Sequence, residues 1–214
     1  MAVTAGAKLR IATHGRGMWE ISIAGALPVT YRSFNAYEKP QGKVTLEWRT
    51  ASENNNKGFE IERSIYRDNN TALNFEKTGF VAGNGTSSAE HGYLHIDEPT
   101  GGNKFMYRLK QIDYDGRFKY SETRLVTLSG LTTQLYNAYP NPADASSIIK
   151  YQLANDSKVD IALYDLTGKR IRSLINTRQE AGIYQVPLKT NDLPAGAYIY
   201  RMSADNMQLA NRII

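Results

Sequence analysis

Apolar and polar residues alternate with a period of two along most of this 214-residue chain, and helical periodicity is almost missing. Val44-Thr45-Leu46-Glu47-Trp48 and Phe59-Glu60-Ile61-Glu62 show the alternation, as do Phe105, Tyr107 and Leu109 along a third run and Val159, Ile161 and Leu163 along a fourth. Ile183 through Leu188 and Tyr198 through Met202 supply two more. Side chains on a strand point to opposite faces in turn, so these segments read as half-buried strands. Clusters of Gly, Asn, Asp and Pro separate them at a spacing of about ten residues, which favours a sandwich or barrel over alternating helices and strands. Asp115-Gly116 and Thr167-Gly168 sit where hairpin turns must fall, because glycine supplies the positive φ such turns need. The chain is expected to be all-β.

Cysteine is absent, so the fold has to close on its hydrophobic core alone and thiol chemistry is ruled out. A net charge of +5 raises nucleic acid as a partner, but Lys and Arg are scattered and interleaved with acidic residues. Nucleic-acid footprints gather basic residues on one face, so solvated surface is the better reading. Fourteen tyrosines are more aromatic content than a disordered chain carries. No stretch approaches the ~20 apolar residues of a membrane span.

Catalytic and metal-binding patterns find no local support. His91 and His95 lie four apart on a predicted strand, where about 13 Å separates them, too far for one ion held at ~2 Å. They are expected at the surface. Thr13-His14-Gly15-Arg16-Gly17 lacks the Gly-Lys-Ser/Thr ending and following helix of a phosphate loop, and reads as a turn. Glu60 and Glu62 alternate with Phe59 and Ile61, which puts them on a solvent face. Asp113 and Asp115 beside Gly116 offer too few oxygens for calcium and read as turn-forming. Asp165 is expected to shape its hairpin by bonding local backbone amides. Asn69-Asn70-Thr71, Asn84-Gly85-Thr86 and Asn155-Asp156-Ser157 match the N-glycosylation pattern by coincidence. No Ser/His/Asp set stands out, so no catalytic, cofactor-binding or metal-ligating residue is assigned.

Three blocks emerge along the chain: a lead over residues 1–26, a block over 27–128, and a block over 134–214. Ser129-Gly130-Leu131-Thr132-Thr133 is small and polar, the composition of a linker. The middle block carries Leu27-Pro28-Val29, Trp48, Gly58-Phe59-Glu60-Ile61-Glu62-Arg63-Ser64 and Phe105-Met106-Tyr107-Arg108-Leu109-Lys110-Gln111-Ile112-Asp113 before its Asp115-Gly116 turn. On these residues it resembles a fibronectin type III or related immunoglobulin-like sandwich. Trp48 would then fill the space between the sheets, and Tyr107 would be the corner tyrosine, its hydroxyl bonded to nearby backbone. The lead contains Leu9-Arg10-Ile11-Ala12-Thr13-His14-Gly15-Arg16-Gly17-Met18-Trp19-Glu20-Ile21, similar to the closing strands of a sortilin or BNR-type β-propeller. It is too short for a four-stranded blade, so its apolar residues need another surface.

The last block reads, in order, Tyr139-Pro140-Asn141-Pro142, Tyr164-Asp165-Leu166-Thr167-Gly168-Lys169-Arg170, Ala181-Gly182-Ile183-Tyr184, Leu193-Pro194-Ala195-Gly196-Ala197-Tyr198-Ile199-Tyr200 and Asn211-Arg212-Ile213-Ile214. This series resembles the type A C-terminal sorting domain of proteins exported by the bacterial type IX secretion system. The resemblance implies a small β-sandwich that acts as an address and not as a catalyst. The matching residues are Pro140, Asn141 and Pro142; Tyr164, Asp165 and Gly168; Gly182 and Tyr184; Leu193, Pro194, Gly196, Tyr198 and Tyr200; and Arg212, Ile213 and Ile214. Gly196 is expected to resist a β-branched replacement if its φ is positive in the turn after Pro194. Many relatives place a Lys at or near the end, where this chain has Ile214.

Two immunoglobulin-like sandwiches in tandem, preceded by a short extra strand segment, are therefore expected. The implied partners are the type IX translocon and the surface-attachment machinery, and the implied location is the outer cell surface of a Gram-negative bacterium or its surroundings. Met1-Ala2-Val3-Thr4-Ala5-Gly6 lacks the basic and apolar regions of a signal peptide, which an exported protein needs. The chain is accordingly expected to be the C-terminal part of something longer. Two other readings stay open. A filament or adhesin subunit would self-associate by adding the lead strand to a neighbour's sheet. A carbohydrate-binding accessory module would stack exposed tyrosines on sugar rings.

Overall fold

The computed structural model describes residues 8–12, 18–22, 29–68 and 73–214, the first two segments by backbone. The Thr13–Gly17 turn, the first six residues and the Asn69-Asn70-Thr71 pattern lie outside the described residues. Strands β1 (Lys8–Ala12) and β2 (Met18–Ser22) pair antiparallel as a two-stranded sheet.

The next seven strands are β3 (Thr30–Lys39), β4 (Lys43–Ile65), β5 (Glu76–Ser87), β6 (His91–Asp97), β7 (Lys104–Asp113), β8 (Phe118–Tyr120) and β9 (Arg124–Thr127). β4 is 23 residues long and serves two sheets. Its residues 43–50 pair with β3 and β6, and its residues 53–65 pair with β5 and β7. β7 also carries β8 and β9. Three strands (β3, β4, β6) therefore face five (β5, β4, β7, β8, β9), β8 and β9 lying along the same strand β7, and the two sheets are joined by one strand that turns a corner. This strand order is that of an immunoglobulin-like sandwich of the fibronectin kind.

The corner is where the sequence pattern breaks, at Thr50–Asn56. Glu53 lies there, 3% exposed. Its carboxylate accepts from Thr50 Oγ1 (2.8 Å), Asn56 Nδ2 (2.7 Å), the Asn84 amide (2.8 Å) and the Tyr93 hydroxyl. Burial alone pushes the carboxyl upward, but these four donors outweigh it and hold it below the ordinary carboxylate value. Beside the corner, Trp48 is 1% exposed and aligned between Phe34 on β3 and Tyr93 on β6. It stacks on Tyr93 and meets Phe59 of the facing sheet edge-on, both at 5.4 Å. Trp48 thus fills the centre between the sheets, as its mid-strand position on an apolar face requires.

Several expectations need correction. The Tyr107 hydroxyl donates to Asp97 Oδ2 (2.8 Å) and not to backbone, and Arg63 donates to the same oxygen (2.7 Å). A buried phenol needs one strong acceptor, and the carboxylate at the end of β6 supplies it. Glu60 and Glu62 do alternate outward, yet neither is open to solvent. Lys77 and Lys110 cover Glu60, and Arg108 pairs with Glu62, which is 8% exposed. Arg108 in turn lies between the rings of Phe75 (3.9 Å) and Tyr120 (3.8 Å). Long cationic stems fold over an outer face, so strand alternation overestimates exposure there. His91 and His95 are half-buried, and the His91 ring bonds Ser87. Asp115 and Asp113 shape the β7–β8 turn, where Gly116 has φ +85° and its amide donates to the Asp113 carbonyl.

The last seven strands are β10 (Gln134–Leu135), β11 (Ser146–Leu153), β12 (Ser157–Tyr164), β13 (Arg170–Gln179), β14 (Gly182–Lys189), β15 (Tyr198–Ala204) and β16 (Met207–Ile213). They form a three-stranded sheet, β10-β11-β14, and a four-stranded sheet, β13-β12-β15-β16. Between the sheets lie Ile149, Tyr151, Leu153, Ile161, Leu163, Leu188, Tyr200 and Met202. Residues 129–133 are not a loose thread. Ser129 is bonded to Glu38 by amide and hydroxyl, Leu131 packs on the first core, and Thr133 Oγ1 accepts the Ala154 amide.

Trp48→Ala should cost about 3–5 kcal/mol in urea unfolding, the usual penalty for deleting a core aromatic. An unchanged midpoint would place Trp48 outside the core. Because the folded carboxyl of Glu53 sits below its ordinary 4.5, its stabilisation is present above that value and fades as pH falls through the folded value. Glu53→Gln should therefore lose stability at neutral pH and show a shallower acid limb as pH falls through and below 4.5.

Candidate functional site

Strand register sorts the motif residues into two poles of the second sandwich. Leu153 pairs with Gly182 at one end of the β11–β14 ladder, and Ser146 pairs with Lys189 at the other, about 23 Å away at ~3.3 Å per residue. The Lys189 end is also where Tyr164 pairs with Ile199 and Tyr198 pairs with Ile213. Pro140–Pro142, the Asp165 turn, Leu193–Gly196, Tyr198 and Arg212–Ile214 all gather at this distal pole.

Asn141 is the link. Its Nδ2 donates to the Arg212 carbonyl (3.2 Å), and its Oδ1 accepts the Ile214 amide (3.0 Å). The Ala143 amide then donates to the Ile214 carbonyl (2.7 Å). One exposed loop thus clamps the last three residues, extending the sheet edge past the end of β16. Pro140 and Pro142 flank Asn141, and the Tyr139–Pro140 and Asn141–Pro142 peptide bonds are both cis. The Pro140 carbonyl accepts from Ser147 Oγ (2.8 Å), which fastens the loop to β11.

Beside the clamp, the Tyr198 hydroxyl donates to the Pro194 carbonyl (2.8 Å), and the Leu193 amide donates to the Thr190 carbonyl (2.9 Å). Between them opens a cleft of about 240 Å³, lined by Ala143, Leu193, Pro194, Tyr198, Ile213 and Ile214 among others. Its walls mix aliphatic side chains, Pro194 and the Tyr198 ring with the polar Asp144, Thr190 and Asn191. Among the described residues no group of His, Asp and Glu is arranged to hold a metal ion. This surface offers shape and polarity.

The Asp165 turn stands at the same pole. Its Oδ1 accepts from the Thr167 hydroxyl (2.6 Å) and the amides of Thr167 (2.9 Å) and Lys169 (3.0 Å), as the sequence implied. The Thr167 hydroxyl and these amides hold the Asp165 carboxyl below its ordinary range. Gly168 completes the turn with φ +86°. Tyr164 lies under the Arg201 guanidinium, 4.8 Å from its ring centre. Tyr200 is central and buried: its hydroxyl donates to the Tyr136 carbonyl and accepts from the Ala138 amide, both at 2.8 Å. It thereby ties the incoming chain to β15.

Two motif positions are elsewhere. Gly182 and Tyr184 start β14 at the opposite pole, next to the first sandwich, where Tyr184 stacks on Tyr151 at 5.5 Å. Gly196 corrects an expectation, since its φ is not positive and a Cβ there would meet open space. A β-branched residue at 196 is therefore free of backbone strain. Sequence reasoning also missed Arg172, which donates to the Lys189 carbonyl (2.9 Å) and to Asp192 (2.7 Å) and braces the loop leading to Leu193. No local pattern signals it, because its partners lie on another sheet.

Residues 137–214 match the secretion system C-terminal sorting domain family, so this part of the chain is a type IX sorting domain. The protein is accordingly a secreted cargo with a sorting signal, directed to the outer cell surface of a Gram-negative bacterium or beyond it. Among curated protein sequences none matches the chain. Dimeric latent PorU from Porphyromonas gingivalis aligns in structure over 86% of this chain at 14% identity and a TM-score of 0.31. The chain spans 19% of PorU. The three fibronectin domains FN1–FN3 of chicken CNTN1 align over 96% of this chain and 76% of theirs, at 14% identity and a TM-score of 0.32. No helix among the described residues is long and apolar enough to cross a membrane.

Asn141→Ala should loosen the C-terminal residues without unfolding the sandwich. Amide exchange at Ile214 should quicken while Met202, mid-β15, keeps its protection, with a stability loss of about 1 kcal/mol. Equal protection of Ile214 in both proteins would show that the clamp is not what holds it.

Proposed function

We propose that the distal pole is the surface by which the export machinery recognises this protein. The observation that carries this is the Asn141 clamp, which joins the Pro-Asn-Pro loop to the terminal Arg212-Ile213-Ile214 beside the cleft that the Leu193–Gly196 turn also lines. These segments are far apart in the chain and none has an evident catalytic group. Their concentration at one end fits a feature that is read from outside. In this reading Pro140, Pro142 and Asp165 shape the surface, Asn141 and Tyr198 hold it together, and the exposed ends of β16 and Pro194 are contacted.

The rest of the chain has no catalytic role in this reading. Residues 27–128 form a spacer sandwich, 129–133 a pinned connection and 134–214 the address. Two exposed aromatics of the first sandwich are poor places for a carbohydrate. Lys110 lies over Phe118 at 4.7 Å and Arg108 over Tyr120 at 3.8 Å, so these rings already carry cations where a sugar would stack.

Residues 134–214, fused behind a signal peptide and a fluorescent protein, should leave a bacterium that has a type IX system. Removing Leu209–Ile214 strips the β15 edge and the clamp together and should retain the fusion in the periplasm. Gly196→Val, which strains nothing, should be exported unless position 196 is itself contacted. Retention of the intact fusion, in cells that export a known cargo normally, would overturn the proposal.

A further inference from the structure

We infer that Gly182 and Ile183, at the proximal pole, couple the sorting domain to the preceding sandwich as one cooperatively unfolding body. This gives the Ala-Gly-Ile-Tyr segment a different task from the motifs at the distal pole. The coupling is independent of what reads that distal surface.

Ile183 belongs to β14 of the second sandwich, yet it is 2% exposed and packs in the core of the first with Val44 and Leu128. A backbone bridge holds it on both sides. The Ile183 amide donates to the Gly102 carbonyl (3.2 Å), and the Gly101 amide donates to the Ile183 carbonyl (2.7 Å). Glycine on each side makes this approach possible. A Cβ on Gly182 would stand 2.5 Å from the Gly102 carbonyl carbon, a backbone atom that cannot swing aside. A Cβ on Gly42 would stand 2.2 Å from Ile183 Cδ1, at a φ of +70° that already favours glycine. Ile65 closes over Gly101 from the end of β4. The Arg67–Glu180 ion pair (3.6 Å) also crosses the junction, but both side chains are about half exposed and contribute little.

Tandem domains usually move freely unless apolar burial joins them. Here an apolar side chain of the second unit is buried in the core of the first, so unfolding the sorting domain strips the first core of a buried contact, unfolding the first sandwich exposes Ile183, and either event breaks two backbone hydrogen bonds. The two sandwiches should share one transition.

The full chain allows a clean test, because its two tryptophans are Trp19 and Trp48 and the sorting domain has none. In a Trp19→Phe background, Trp48 fluorescence follows the first sandwich alone. Leu188→Ala removes a fully buried side chain from the sorting-domain core. It should nevertheless lower the Trp48 urea midpoint by roughly 1 M. The same substitution combined with Gly182→Val, or with the milder Ile183→Ala, should leave the Trp48 midpoint where Gly182→Val or Ile183→Ala alone puts it. Amide protection along β12 and β15 shows that the sorting domain is folded in each variant before urea is added, and Ile183→Ala serves if Gly182→Val fails that check. A Trp48 midpoint indifferent to Leu188→Ala would overturn the inference. So would an undiminished effect of Leu188→Ala in a folded Gly182→Val or Ile183→Ala protein.

Discussion

The corner of β4 is the constraint on which the rest of this structure depends. One strand leaves Gly42, crosses the first sheet, turns at Glu53 and returns through the second sheet to Ile65. Both of its ends therefore arrive at the same pole, and both touch the junction: Gly42 faces Ile183, and Ile65 covers Gly101. The turn buries a carboxylate, which costs free energy unless every lone pair finds a donor. Thr50, Asn56, Asn84 and Tyr93 supply those donors from both limbs and from β5 and β6. The first sheet is thus tied to the second by polar bonds at the corner and by Trp48 against Phe59 in the core.

From that frame the second sandwich is held by its proximal end and presents its distal end. β14 carries both tasks, with Ile183 buried in the first core at its start and Lys189 beside the Leu193–Gly196 loop at its finish. The distal pole has few buried apolar groups of its own. Side chains bonding to backbone hold it instead: Asn141 to the last residues, Tyr198 to Pro194, Arg172 to Lys189. Such contacts are worth about 1 kcal/mol each, enough to order a surface loop and little enough to release it.

Strand content, the central place of Trp48 and the Asp165 and Gly116 turns were legible in the sequence. Each depends on neighbours within a few residues, through side-chain alternation or the positive φ that glycine supplies. The resemblance carried by the Pro-Asn-Pro, Asp-Leu-Thr-Gly and Leu-Pro-Ala-Gly segments likewise located the sorting domain. Exposure was read less well. Glu62 alternates outward and is still buried, because Arg108 from β7 folds over it. Tyr107 finds its acceptor on Asp97, ten positions away and on another strand. Gly196 looked like a conformational requirement and is an ordinary turn residue in open space.

The sequence by itself determined an all-β chain with a sorting domain in its last part, because strand periodicity and turn chemistry are local properties. Only the tertiary structure decided how the motifs divide between two poles. Asn141 reaches Arg212 and Ile214 through a fold that brings both ends of the domain together, and no spacing along the chain encodes that distance. Gly182 reads as one more turn glycine until Gly102 is seen against it. Its role is set by an approach between backbones 80 residues apart, which only packing can bring about.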